Sequence, residues 1–183
     1  GDIDRLPSAL RVDGTLRRTH PIFVDHFKFL KSVTPETPKL TLPSPSILHF
    51  RGGRDAVDRA AYPDMDVFFK DLARAYCEEI ADLAVAGCRY LQLDEVNFAY
   101  LCDPNMRRQV QGFGEDPETL PHLYARLIND SIATRPPDMT VCMYLCRGNF
   151  ESAWLADGGY DPVAEVLFND INVNGYFLEY DSA

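Results

Sequence analysis

The sequence predicts an α/β fold, a parallel sheet of about four βα units forming part of a (β/α)8 TIM barrel. Three observations predict it. Amphipathic helical stretches alternate with short apolar strands, and the pattern occurs four times. Proline and glycine mark the boundaries between them. Ser44, Asp94, Cys146 and Glu179, all suited to chemistry, follow the strands, where parallel α/β folds place their sites.

In the first unit, residues 21–33 read as a helix with apolar Ile22, Phe23, Phe27, Leu30 and Val33. Thr19 is its expected cap, and Pro21 suits the first turn. The strand is 39–42 (KLTL), stopped by Pro43 and Pro45. In the second unit, Asp64 or Asp66 caps a long helix over 67–86. Val67, Phe68, Leu72, Ala75, Tyr76, Ile80, Leu83 and Ala84 form its apolar stripe, and Gly87 ends it. Strand 89–93 (RYLQL) follows, with Asp94 and Glu95 at its end. The third helix opens at Asp116-Pro117 and runs through Leu120, Leu123, Tyr124, Leu127, Ile128 and Ile132, stopping before Pro136. Strand 140–145 (TVCMYL) ends in Cys146, Arg147, Gly148 and Asn149. The fourth helix opens at Asp161-Pro162 by the same device and includes Val163, Val166, Leu167 and Phe168. Strand 175–178 (GYFL) is followed by Glu179 and Asp181. The strands show little polar alternation, which suits a sheet covered on both faces.

A doubly wound open sheet is the competing architecture. Its nucleotide-binding form has no support, because the chain has no GxGxxG and no GxxxxGK[ST]. A complete barrel takes at least about 200 residues, and this chain has 183. Four parallel strands leave both sheet edges open. The expectation is one domain over residues 1–183, an incomplete barrel that is an internal piece of a larger one or is completed by a partner chain.

The chain is 46% hydrophobic and 25% charged, ordinary for a globular protein, which excludes a disordered chain. Net charge is -10, from 18 basic and 28 acidic residues, which argues against a nucleic-acid partner. No apolar run approaches the roughly 18–20 residues of a membrane span, and GDIDRLPSAL does not read as a signal peptide. The five cysteines, Cys77, Cys88, Cys102, Cys142 and Cys146, are odd in number and contain no CxxC. Free thiols in a reducing cytoplasm fit better than a disulfide framework.

The residues at the strand ends carry the chemistry. Cys146 and Glu179 follow successive strands, roughly 5 Å apart in a parallel sheet, so their side chains can converge. Thiolate and carboxylate are both zinc ligands, and a catalytic zinc takes three protein ligands and an open position. A thiol substrate in that position is deprotonated and becomes a strong nucleophile. Asp94 and Glu95 are the candidates for binding an amine or for acid–base work, against the plainer roles of cap or arginine partner. Ser44, Ser46, Arg147 and Asn149 are candidate substrate-binding residues by position. Cys142 is expected in the strand core, and Cys77 and Cys88 in packing. His20, His26, His49 and His122 have no metal-binding spacing and read as structural. Phe50, Phe98, Tyr100 and Phe150 flank the strand ends, where some can line a flat-ring pocket and most pack.

Phe50-Arg51-Gly52-Gly53, YLQLDEVNFAYLCDP (90–104), LCRGNF (145–150) and GYFLEYD (175–181) resemble the cobalamin-independent methionine synthase family. The nearest branch is its short, single-barrel members, and the resemblance runs over essentially the whole chain. It implies a (β/α)8 barrel that moves a methyl group, usually from methyltetrahydrofolate, to a zinc-bound thiol, usually homocysteine. By the same resemblance Cys146 is the cysteine of the family's His-x-Cys zinc motif and Glu179 its acidic zinc residue. Asp94 holds the substrate amino group, and residues 43–46 contribute to the folate and substrate pocket. Two positions depart from the pattern. Tyr144 stands where the family has histidine, and a neutral phenol is a poor zinc ligand. The family's last zinc cysteine belongs to a later strand, beyond Ala183.

The expected function is therefore zinc-dependent methyl transfer to a thiol such as homocysteine. One alternative is a related thiol alkyltransferase or lyase with a lost zinc site, in which Tyr144 has a new role and Asp94 and Glu95 act as acid or base. Another is a non-catalytic half-barrel. Expected partners are the thiol, the methyl donor, and a second copy or partner chain completing the barrel.

Overall fold

The structure, a computed structural model, describes residues 10–150 and 153–179, except for the side chains of residues 149, 150, 153 and 154. One sheet holds β1 (Lys39–Pro43), β2 (Tyr90–Glu95), β3 (Thr140–Leu145) and β6 (Gly175–Leu178). The order is β1-β2-β3-β6 and every neighbouring pair is parallel. Helix α1 (Val24–Ser32) precedes β1, and α3 (Met65–Val85), α6 (Leu120–Ser131) and α7 (Asp161–Asn169) link the strands; the four pack side by side in that order. The fold is thus α/β, a partial barrel of four βα units, as expected.

The strands alternate, contrary to the expectation. Leu42, Leu91, Leu93, Val141, Met143 and Leu145 are buried in the main core. Fully burying each such side chain contributes about 1.5–3 kcal/mol. Lys39, Thr41 and Pro43 on β1, Tyr90, Gln92 and Asp94 on β2, and Thr140, Cys142 and Tyr144 on β3 occupy the alternate positions. Most of these are partly or fully exposed, so the helices cover one face and leave the other open. The pattern is written in KLTL and YLQLDE; the polar positions carry long side chains beside apolar neighbours, which masks the period of two.

Several element starts also differ. Helix α1 begins at Val24, and the Thr19 hydroxyl bonds the His20 ring instead of capping it. The cap comes from a distant residue: the Glu79 carboxylate on α3 accepts the Ile22 and Phe23 N–H groups at 2.9 and 2.8 Å and pairs with Arg18 at 2.7 Å. Ile22, Val33, Val67 and Phe168, expected on buried stripes, are exposed. Asp64 does cap α3, accepting the Asp66 N–H at 2.9 Å, and Gly87 ends that helix at φ +96°. Asp116-Pro117 makes a turn in which the carboxylate accepts the Glu118 N–H, and α6 starts three residues after Pro117, at Leu120. Asp161 opens α7 with Pro162 in its first turn.

Four short elements went unforeseen. They are α2 (Ile47–Phe50) and a 3-10 turn (Gly53–Ala56) after β1, with α4 (Asn97–Tyr100) and α5 (Pro104–Gly112) after β2. A hairpin of β4 (Asn149–Phe150) and β5 (Ala153–Trp154) follows β3. Together they wall the C-terminal end of the sheet.

Candidate active site at the strand ends

Register sets the site. Asp94 pairs with Tyr144, and Tyr144 with Phe177, so three consecutive strands end level with one another. Just beyond, the Cys146 N–H donates to the Glu95 carbonyl and the Glu179 N–H to the Leu145 carbonyl. Cys146 and Glu179 therefore lie at adjacent strand ends, as the sequence expected.

Glu179 is held at both oxygens. Oε1 accepts the Tyr144 hydroxyl and Oε2 accepts the Arg147 N–H at 2.9 Å. The hydrogen bond to Glu179, then burial, drives the Tyr144 phenol well above its ordinary range. Burial raises the Cys146 thiol too; the Gly148 N–H partly offsets this, and Glu179, Asp94 and Glu95 add to the rise. The surrounding carboxylates favour a positive group beside the thiol. Gly148 has φ +78°, and a Cβ there would lie 2.5 Å from the Tyr100 hydroxyl, so glycine lets the chain turn tightly past Cys146.

Asp94 and Glu95 are consecutive in a strand and so face opposite ways. Asp94 is exposed on the open face, where Oδ1 accepts the Gln92 side-chain N–H at 2.7 Å. Glu95 is 0% exposed. It accepts the Ser46 hydroxyl at 2.5 Å, the Asn97 N–H at 2.5 Å, and bonds from Ser44 and the Phe98 N–H. Burial nevertheless raises its pKa, against those four donors. Ser44 and Ser46 are buried with it, and Asn97 Nδ2 donates to Ser46 Oγ at 2.7 Å. The sequence reading set Ser44 and Ser46 against substrate and Glu95 at acid–base work. The structure turns all three inward, into a polar knot tying the loop after β1 to the loop after β2. Among the described residues no arginine pairs with Glu95 in that knot.

The Arg147 guanidinium donates to the Gly158 carbonyl at 2.6 Å and lies over the Tyr160 ring, so its backbone N–H is the part that serves the site. Asn149 lies on β4, its side chain outside the described residues, as are Asp181 and the Phe150 side chain. Phe50 and Tyr100, with ring centroids 5.5 Å apart, line a recess with Arg51, Met106, Val110 and Phe113. Phe98 is buried core instead. His49 is buried between the Tyr124 hydroxyl and Glu115, a structural position. All five cysteines are free, and Cys142 and Cys88 are buried as expected.

Among the described residues, no group of three or more His, Cys, Asp and Glu side chains is arranged to hold a metal. The donor chemistry explains this. Cys146 and Glu179 offer two donors at most, and Tyr144 spends its hydroxyl on Glu179. The described residues alone do not make a zinc site. Asp94, Cys146 and Glu179 lie at strand ends, where the sequence places them; the Tyr144–Glu179 bond and the closed knot are not foreseen there.

Polar and acidic side chains delivered by consecutive parallel strands at their C-terminal ends define a strand-end site of barrel type. No protein-family model matches the chain. Two uncharacterized proteins of Bacillus subtilis are similar: YxjH, 45% identical over 175 residues, and YxjG, 44% identical over 167. These cover 94% and 90% of this chain but 45% and 43% of those proteins. The chain thus spans about half the length of the curated relatives it matches. A crystal structure from Listeria monocytogenes, provisionally named a vitamin-B12-independent methionine synthase, matches with a TM-score of 0.72 at 42% identity. It covers 90% of this chain and 46% of that one. By sequence motif, fold and this likeness, the chain belongs to the cobalamin-independent methionine synthase family. Among the described residues no helix is long and apolar enough to cross a membrane.

Proposed function

We propose that the chain is the part of a methyltransferase barrel that receives a thiol substrate, homocysteine in the family's usual reaction, for methylation to methionine. Residues 1–183 are then one incomplete barrel, completed by further chain or by a partner copy, and the free thiols suit the cytoplasm. One observation carries this: Asp94, Cys146 and Glu179 stand side by side at consecutive strand ends around the open face. Asp94 receives the substrate ammonium by charge and hydrogen bond. The carboxylates around Cys146 draw in a cation. In the transfer, the sulfur–methyl bond forms as the bond between methyl and donor (methyltetrahydrofolate, in the family) breaks, and the thiol proton is released. Bound zinc would supply thiol deprotonation, and here Cys146 and Glu179 would need ligands from beyond the described residues. The recess at Phe50 and Tyr100 offers a flat ring an aromatic wall.

The Tyr144–Glu179 bond favours a second reading, a thiol alkyltransferase or lyase without zinc. Glu95 is closed off from such chemistry, which leaves Asp94 as its exposed carboxylate.

Titration of L-homocysteine into the isotope-labelled chain tests the proposal. The amide resonances of Asp94, Tyr144, Cys146 and Glu179 are expected to move together. Shifts confined to other regions, or none at millimolar thiol, overturn it.

A further inference from the structure

Asp94 is the last member of a polar row that runs down the open face of the sheet. Gln92, two residues earlier on the same face, donates its amide N–H to Asp94 Oδ1 at 2.7 Å. The other end of that amide is also taken. Lys39, on the neighbouring strand β1, donates from Nζ to Gln92 Oε1 at 2.8 Å. The Lys39 ammonium lies 5.5 Å from the Tyr90 ring centroid and 5.1 Å from that of Phe177. Two aromatic faces therefore hold the charge in place.

The order of the row follows from donor and acceptor chemistry. An ammonium has only donors, so Lys39 must take the amide oxygen of Gln92. The amide nitrogen is then left to face Asp94. A carboxylate only accepts, so the pairing cannot reverse. Asp94 Oδ1 is occupied, which restrains the carboxylate, and Oδ2 bonds no described residue. The backbone adds to this, since the Ser44 N–H donates to the Asp94 carbonyl at 2.8 Å and fixes the strand end itself.

We propose that Lys39 and Gln92 are positioning residues that hold Asp94 so that its second oxygen receives a primary ammonium. The row makes the site selective for thiols that carry an amino group. This rests on the amino-thiol reading given above, and it assigns work to two residues that touch no substrate.

The test compares L-homocysteine with its deamino analogue, 4-mercaptobutanoate, by calorimetry on the wild-type chain, Gln92→Leu and Lys39→Met. The wild-type chain is expected to prefer homocysteine. Gln92→Leu is expected to reduce that preference about tenfold, the equivalent of one charge-assisted hydrogen bond. Lys39→Met reduces it in the same direction, and the affinity for the analogue stays put in both. A preference that survives Gln92→Leu undiminished overturns the positioning role. A wild-type chain with no preference overturns the amino-thiol reading instead. The row itself is then judged without ligand, by the NMR resonances of the Gln92 side-chain amide. These are expected to shift in both Asp94→Asn and Lys39→Met, and unmoved resonances overturn the row. Gln92 and Lys39 both sit on the open face, so the variants keep the packed core.

Discussion

Ser46→Ala removes one hydroxyl from the centre of the buried knot, and the structure sets the cost. Ser46 Oγ donates to the fully buried Glu95 carboxylate at 2.5 Å and accepts from Asn97 Nδ2 at 2.7 Å. A hydrogen bond to a charged group contributes about 1.5–3 kcal/mol and a neutral one about 1 kcal/mol, so the loss is about 3 kcal/mol. That is a large part of the roughly 5–15 kcal/mol by which a domain is stable. The effect also has a pH sign. The folded-state pKa of Glu95 is raised, by burial, so its protonated form is the better folded one. Stability linked to it is fully present below the ordinary carboxyl range and is lost as pH rises through the raised value. Ser46 favours the charged form, so its removal hurts more where Glu95 is ionised. Urea unfolding of wild type and Ser46→Ala at about pH 4 and pH 8 checks this. The deficit should be larger at the higher pH. A deficit below about 1 kcal/mol at both values refutes the reasoning, because it falls within what one neutral bond explains.

Three further outcomes follow from other parts of the structure. Glu79→Ala strips the carboxylate that caps α1 in space and pairs with the half-buried Arg18, which keeps Asp82, and should cost about 2 kcal/mol in urea unfolding. A loss within 0.5 kcal/mol, the usual range for a surface change, would contradict the capping role. Gly148→Ala places a Cβ against Tyr100 in a left-handed backbone position, so the melting temperature should fall, by the equivalent of roughly 1–3 kcal/mol. Tyr144→His frees Glu179 and adds a nitrogen donor beside Cys146; competition with a chelator should show zinc binding at least about tenfold tighter. Unchanged zinc affinity would speak against any metal role for this strand end.

The strands were the most legible part of the sequence. Residues 140–145 and 175–178 are strands to the residue, because turn residues or prolines bound short apolar runs there. Asp94, Cys146 and Glu179 were legible for the same reason, since position after a strand is a local property. What failed was long-range. The cap of α1 is Glu79, more than fifty residues away, and no local pattern reveals it. The closure of Glu95 needed two serines from another loop, although its neighbour Asp94 hinted at it: adjacent strand residues cannot both face the open side. The four-residue helices α2 and α4 are too brief to show a helical period, and α5 buries only Val110, so it carries no apolar stripe. The Tyr144–Glu179 bond joins two strands, and only the register of β3 against β6 brings it together.

In the proposed function Asp94, at these strand ends, receives an amino-thiol. Calorimetric titration of L-homocysteine into the wild-type chain and Asp94→Asn tests it most directly. Saturable binding by the wild type, weakened about tenfold or more in Asp94→Asn, is the predicted result. No binding by the wild type, or equal binding by both, would contradict it.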